Sequence, residues 1–62
     1  MFEVHFANGE MLVADSQRAA RDLIRQRDID SYADHDVFPV EISEDGRFVE
    51  RFHYWAELHE LP

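Results

Sequence analysis

Phe2-Glu-Val-His-Phe-Ala-Asn-Gly-Glu-Met-Leu-Val-Ala14 is the stretch on which the fold turns. From Phe2 to Phe6 apolar and polar side chains alternate, as they do along a strand with one buried face. Asn8-Gly9 follows, the strongest short hairpin signal, because a type I′ turn needs positive φ at both central residues. With those two residues central, Ala7 faces Glu10, Phe6 faces Met11 and Val4 faces Val13. The apolar residues of both strands then share one face, as a single core requires, and His5 and Leu12 fall on the other.

A hairpin with one apolar face needs a cover, and the next segment supplies it. Asp15 or Ser16 can cap a helix, and the stretch to about Arg27 has no Gly, no Pro and no β-branched residue except Ile24. Ala19, Ala20, Leu23 and Ile24 form an apolar stripe at helical spacing, and Arg18, Arg21, Asp22 and Arg25 take the opposite side. Such a helix is about 18 Å long. Residues 28–36 read as a connecting loop. Val37 to Ser43 reads as a third strand, with Pro39 marking an edge position or a strand start. Asp45-Gly46 is a second hairpin signal, and a fourth strand runs from about Arg47 to His53.

Two registers are open to the second hairpin. A two-residue loop pairs Ile42 with Val49. A three-residue loop with Gly46 in the left-handed region pairs Ile42 with Phe48 and Phe38 with Phe52. The second aligns more aromatics and is preferred, although it leaves Glu50 facing inward or at an edge. In the tail, Tyr54, Leu58 and Leu61 recur at helical intervals, which predicts a short closing turn or helix. The expected fold is therefore α+β, in the order ββαββ. One helix packs on one face of an antiparallel sheet, and a single domain spans residues 1–62.

The 62 residues allow no more than one domain, and the absence of cysteine removes any disulfide support. Eight aromatics supply much of the buried area instead. The first residues lack the basic and apolar regions of a signal peptide, and no apolar run approaches a membrane span. A cytoplasmic protein is expected.

Charge is the most distinctive property. Fourteen acids stand against six bases, all arginine, for a net charge of −8. Between Asp28 and Gly46 there are seven acids and no Lys or Arg: Asp28, Asp30, Asp34, Asp36, Glu41, Glu44 and Asp45. A run of this kind repels itself and faces water. Residues 16–27 carry a net +3 and the rest of the chain −11, so charge is segregated along the sequence. The negative field disfavours nucleic acid and anionic membrane as partners and favours a basic protein surface.

Chemistry is harder to place. An EF-hand begun at Asp28 puts Tyr32, Ala33 and Pro39 at its fifth, sixth and twelfth positions, so the match stops after two ligands. His53 and His59 do not have a zinc spacing, and His5 and His53 approach each other only if their strands are neighbours. There is no plausible Ser or Cys nucleophile arrangement, no phosphate loop and no dinucleotide fingerprint. Neither an enzyme nor a cofactor is expected.

Carboxylates at every second position of an extended segment recur at about 6.6–6.8 Å, close to the spacing of phosphates along one nucleic-acid strand. Asp28/Asp30 and Asp34/Asp36 have this pattern, and Glu41, Glu44, Asp45 and Glu50 cluster on the second hairpin. In size and charge profile, over its whole length, the chain resembles small acidic phage-encoded DNA mimics, including anti-CRISPR and anti-restriction proteins. That class shares no sequence motif. The resemblance implies inhibition by occupying the DNA channel of an effector such as a Cascade complex. The arginines confine any such mimicry to one side. The alternative is a structural or regulatory module, homodimeric or partner-bound, working through the exposed face of the first hairpin (His5, Leu12) or through Trp55, with acidity serving solubility.

Overall fold

Alternation along the first strand sets the sheet: β1 (Phe2–His5) turns Val4 into the core and His5 to solvent. The computed structural model describes residues 1–30, 37–53 and 57–58, with residues 28–30 described by their backbone. After β1 come β2 (Met11–Ala14), α1 (Gln17–Asp30), β3 (Val40–Glu44) and β4 (Arg47–Phe52). The strands form one antiparallel sheet in the order β2-β1-β3-β4. α1 lies over β1, β2 and β3 on one face. This is the predicted ββαββ arrangement.

The helix begins where a cap is available. Ser16 Oγ accepts the Ala19 N–H at 3.1 Å, and the Ser16 carbonyl accepts the Ala20 N–H at 3.0 Å. Of the two predicted caps it is Ser16 that acts. Ser16→Ala should therefore cost about 1 kcal/mol, read as a lowered midpoint in urea with an unchanged slope. The stripe predicted for the helix is the one that packs: Ala20 and Ile24 are fully buried, and Ala19 and Leu23 lie against the same core. Val4 from β1 and Phe6 just after it, Val40 and Ile42 from β3, Phe52 from β4 and Leu58 close around them.

The two turns exchange the types read from the sequence. In the first hairpin Val4 pairs with Leu12, Glu3 with Val13 and Phe2 with Ala14, one residue away from the predicted register. Phe6 N–H donates to the Glu10 carbonyl at 2.9 Å and Gly9 N–H to the Phe6 carbonyl at 3.0 Å, so Ala7-Asn8-Gly9 is a three-residue loop. Within it only Gly9, at φ 94°, is left-handed. Asn8 instead accepts the Glu10 N–H through Oδ1 at 2.9 Å. The shift turns Leu12 and Ala14 inward and Met11 and Val13 outward. The small, buried Ala14 then lies two residues before the Ser16 cap, where α1 sits down on the sheet. Leu12 packs against the core, so it does not belong to the exposed face expected of it.

The second hairpin carries the type I′ turn, with Asp45 at φ 51° and Gly46 at φ 86°. Glu44 pairs with Arg47 and Ser43 with Phe48, after which the register shifts and Ile42 pairs with Glu50. The preferred three-residue loop is thus overturned. The two-residue loop holds at the tip, and a bulge at Val49 moves the partner of Ile42 on by one. Without the bulge, Phe52 would point away from the core. With it, Phe52 lies opposite Val40 and is buried, while Phe48 points out.

Two boundaries also move. α1 runs to Asp30, so Asp28 and Asp30 belong to its last turn and not to a loop. β3 starts at Val40, and the buried Val37 precedes it in a single 3₁₀ position whose carbonyl accepts the Ala7 N–H at 3.1 Å. β3 is flanked on both sides, so Pro39 marks the strand start and not an edge. In the tail, Glu57 and Leu58 are helical and Leu58 is fully buried. Tyr54, Trp55 and Leu61 lie outside the described residues.

Candidate functional site

The acids singled out by the sequence fall in two places. Asp28 and Asp30 ride on the last turn of α1. In a helix, positions two apart are about 200° apart around the axis, so the extended 6.6–6.8 Å ladder expected of this pair does not form. Asp34 and Asp36 lie outside the described residues. The second group, Glu41, Glu44, Asp45 and Glu50, is on the hairpin of β3 and β4.

Three acids of the hairpin group have cationic partners. Glu41, on the outer face of the sheet, is opposite Arg51, whose Nη2 comes within 3.3 Å of Oε2. Asp45 accepts from the terminal ammonium of Met1 at 3.1 Å. That hydrogen bond raises the ammonium pKa above its ordinary 8.0 despite desolvation, and the negative charges of Asp45, Glu44 and Glu3 add to the effect. Glu44 is exposed at the strand end. Glu50 is opposite Ile42 and so faces the helix, where Arg21 donates to it through Nε at 2.8 Å and Nη2 at 2.9 Å, and Gln17 through Nε2 at 2.8 Å. Burial pushes the Glu50 pKa up, but the hydrogen bonds from Arg21 and Gln17 and the arginine charge outweigh it, and the net shift is downward.

The arginines are therefore fastenings. Arg21 joins α1 to β4, and Arg27 reaches Glu10 at 2.6 Å while its guanidinium lies 5.9 Å from the Phe6 ring centre. Arg25 bridges Asp22 at 3.0 Å and donates to the Leu58 carbonyl at 3.3 Å. The sequence reading, which put Arg21 on the side of the helix opposite the apolar stripe, missed the Arg21–Glu50 pair. Its signal was present: a strand glutamate that faces inward requires a cation on the element above it.

The outer sheet face carries a second polar group. Ser43 donates its hydroxyl proton to Glu3 Oε1 at 2.8 Å, and its Oγ lies 3.1 Å from His5 Nε2. A hydroxyl has one proton, so with that proton on Glu3 the imidazole N–H donates to Oγ. The Ser43 proton is directed away from His5, the reverse of what nucleophile activation needs. β3 lies between the strands leading to His5 and His53, so they are not on neighbouring strands. Among the described residues no three His, Asp or Glu side chains are grouped to hold a metal ion, and no helix is long and apolar enough to cross a membrane.

The C-terminal end of α1 is the other place where acids of the sequence gather. The last carbonyls of a helix carry about −0.5 elementary charge. Asp28 and Asp30 add to that pole, and Asp34 and Asp36 follow in the chain. No family model, curated protein or solved structure matches this chain.

Proposed function

We propose that this chain binds a basic, nucleic-acid-binding surface of another protein and blocks it by standing in for phosphates. A CRISPR-Cas effector such as Cascade is the most direct target, which would make the chain an anti-CRISPR protein of phage origin acting in the host cytoplasm. The observation that carries this reading is the disposition of charge at the end of α1. Asp28 and Asp30 occupy the one end of a helix where carboxylates are destabilising. Four of the six arginines are committed to Glu50, Asp22, Glu10 and Glu41 within the fold. The surface is centred on Asp28, Asp30, Asp34 and Asp36; Glu44, opposite Phe2 at the end of the sheet where α1 begins, stands apart from Asp28 and Asp30. Glu41, Asp45 and Glu50 contribute less, because each already has a cation. A carboxylate surface of this kind attracts a Lys/Arg-lined groove over roughly a Debye length, about 10 Å at 0.1 M salt.

The test is a pull-down from bacterial lysate at low and high salt, followed by affinity measurements on the captured complex. Replacing Asp28, Asp30, Asp34 and Asp36 by Asn should weaken binding at least about a hundredfold, as losing several close charge pairs does. The variant should stay folded and gain stability, because each helix-end carboxylate removed relieves about 0.3–1 kcal/mol. Tight binding that survives both the substitutions and high salt would end the proposal.

A further inference from the structure

The two edges of the sheet are built differently. β4 is closed to strand addition by the bulge at Val49, by Glu50 turned inward onto Arg21, and by the exposed Arg47 and Arg51. β2, the other edge among the described residues, is Met11-Leu-Val-Ala14, with no charge, proline or bulge.

The hydrogen-bond phase tells which main-chain groups β2 presents. The Met1 carbonyl accepts from Asp45 N–H, and Ala7 N–H donates to the Val37 carbonyl. Odd-numbered residues of β1 therefore bond toward β3 and even-numbered ones toward β2. The Phe6 N–H bond to Glu10 agrees. Opposite Phe2 and Val4 stand Ala14 and Leu12, so these two bond inward to β1. Met11 and Val13 thus direct their N–H and C=O groups away from the sheet.

The edge is also apolar on both faces. Met11 and Val13 lie on the outer face, 54% and 52% exposed. Leu12 is half-buried on the inner face. Leu23, one turn before the Arg27 that anchors to Glu10 just ahead of β2, is half-buried against the same core.

We propose that two copies of this chain pair antiparallel through β2, about a two-fold axis at Leu12, and fuse their sheets into one. The phase selects this register. Met11 stands opposite Val13 of the second copy, and Val13 opposite its Met11, each pair exchanging N–H···O=C bonds in both directions. Leu12 meets Leu12 between them. Inner faces stay aligned, so both helices cover the same side, and the outer Met11 and Val13 side chains merge into one apolar strip. No like charges oppose each other: Glu10 faces Ala14, Asp15 faces Gly9, and Glu10 is already held by Arg27 at 2.6 Å. An isologous contact needs one patch that is its own complement, and β2 is such a patch. The net charge of −8 on each copy opposes the contact, so dimerisation strengthens with salt, opposite to the response expected of the acidic pole.

Sedimentation and single-cysteine cross-linking test this, since the chain has no cysteine of its own. A non-hydrogen-bonded antiparallel pair has its Cα atoms about 4.5 Å apart, within the roughly 4.4–6.8 Å that a disulfide spans. Leu12→Cys should form a covalent dimer under mild oxidation at least about tenfold faster than Met11→Cys or Val13→Cys alone. A mixture of the last two should cross-link. Val13→Lys, at an exposed position, should keep its circular dichroism and sediment as a monomer. A wild-type chain that is monomeric at about 1 mM in both low and high salt would overturn the proposal. So would a dimer that persists in Val13→Lys without preferential cross-linking at Leu12→Cys.

Discussion

Ile42→Ala should cost about 2–5 kcal/mol, the range for truncating a fully buried isoleucine. Ile42 has no exposed surface, lies on a strand flanked on both sides and packs in the core that α1 covers. A domain of 62 residues has on the order of 3–9 kcal/mol in all, so this variant should be close to unfolding at 37 °C. Its thermal midpoint should fall by about 8–40 °C. Phe48→Ala is the informative companion. Phe48 is 61% exposed and stacks with Arg51 at 5.5 Å, so its loss should cost no more than about 1 kcal/mol. Had the second hairpin taken the three-residue loop, Phe48 would lie opposite Ile42 inside the core, and the two substitutions would be comparably severe. Melts of the two variants therefore read the register directly. Equal losses would contradict the bulge at Val49.

The register was the part of the fold that local sequence could not decide. Element order was legible because alternation in Phe2–Phe6, the Ala19–Ile24 stripe and the two Gly-containing turns are local signals. Asn8-Gly9 and Asp45-Gly46, however, each satisfy more than one hairpin geometry, and the choice between them is made at a distance. In the first hairpin, Ala14 must pass beneath the start of α1, which selects the longer loop. In the second, Phe52 must reach the core opposite Val40, which the tight turn permits only with a bulge. A shift of one residue inverts a strand, so Met11 and Val13 exchanged faces with Leu12 and Ala14, and the apolar edge of β2 was invisible from the sequence. The helix end was misplaced for a related reason. Asp28-Ile-Asp30 contains no Gly or Pro to stop α1, and its carboxylates, unfavourable at a helix C-terminus, read as a loop.

These shifts also change what the acidic residues can do. Along the sequence the seven acids form one class. On the fold, Glu41 and Asp45 pair with cations at the surface, the neighbouring Glu50 is a structural group, and Asp28 and Asp30 crown a helix pole. The charge that the proposed partner would meet is thus distinct from the charge that fastens the domain. Substitutions at the two sets should have opposite effects on stability.

Glu50→Ala should show the fastening. Arg21 and Glu50 are 26% and 19% exposed, and the carboxylate receives three hydrogen bonds from Arg21 and Gln17. Removing it strands a half-buried guanidinium and an amide, at about 1–3 kcal/mol. A double-mutant cycle with Arg21→Ala should return a coupling above about 1 kcal/mol, whereas the more exposed Arg25–Asp22 pair should return about 0.2–1. The sign of the pH dependence follows from the depressed Glu50 pKa. A carboxyl that is more acidic folded than unfolded stabilises fully above its ordinary value, here 4.5, and loses that contribution as pH falls through the folded value. The stability gap between wild type and Glu50→Gln should therefore be widest near neutrality and narrow on acidification below about pH 4.5. Urea titrations at several pH values measure it. A gap that stays constant from neutral to strongly acidic pH would mean that Glu50 is held by shape alone, and that the charge on its carboxylate contributes nothing to joining α1 to β4.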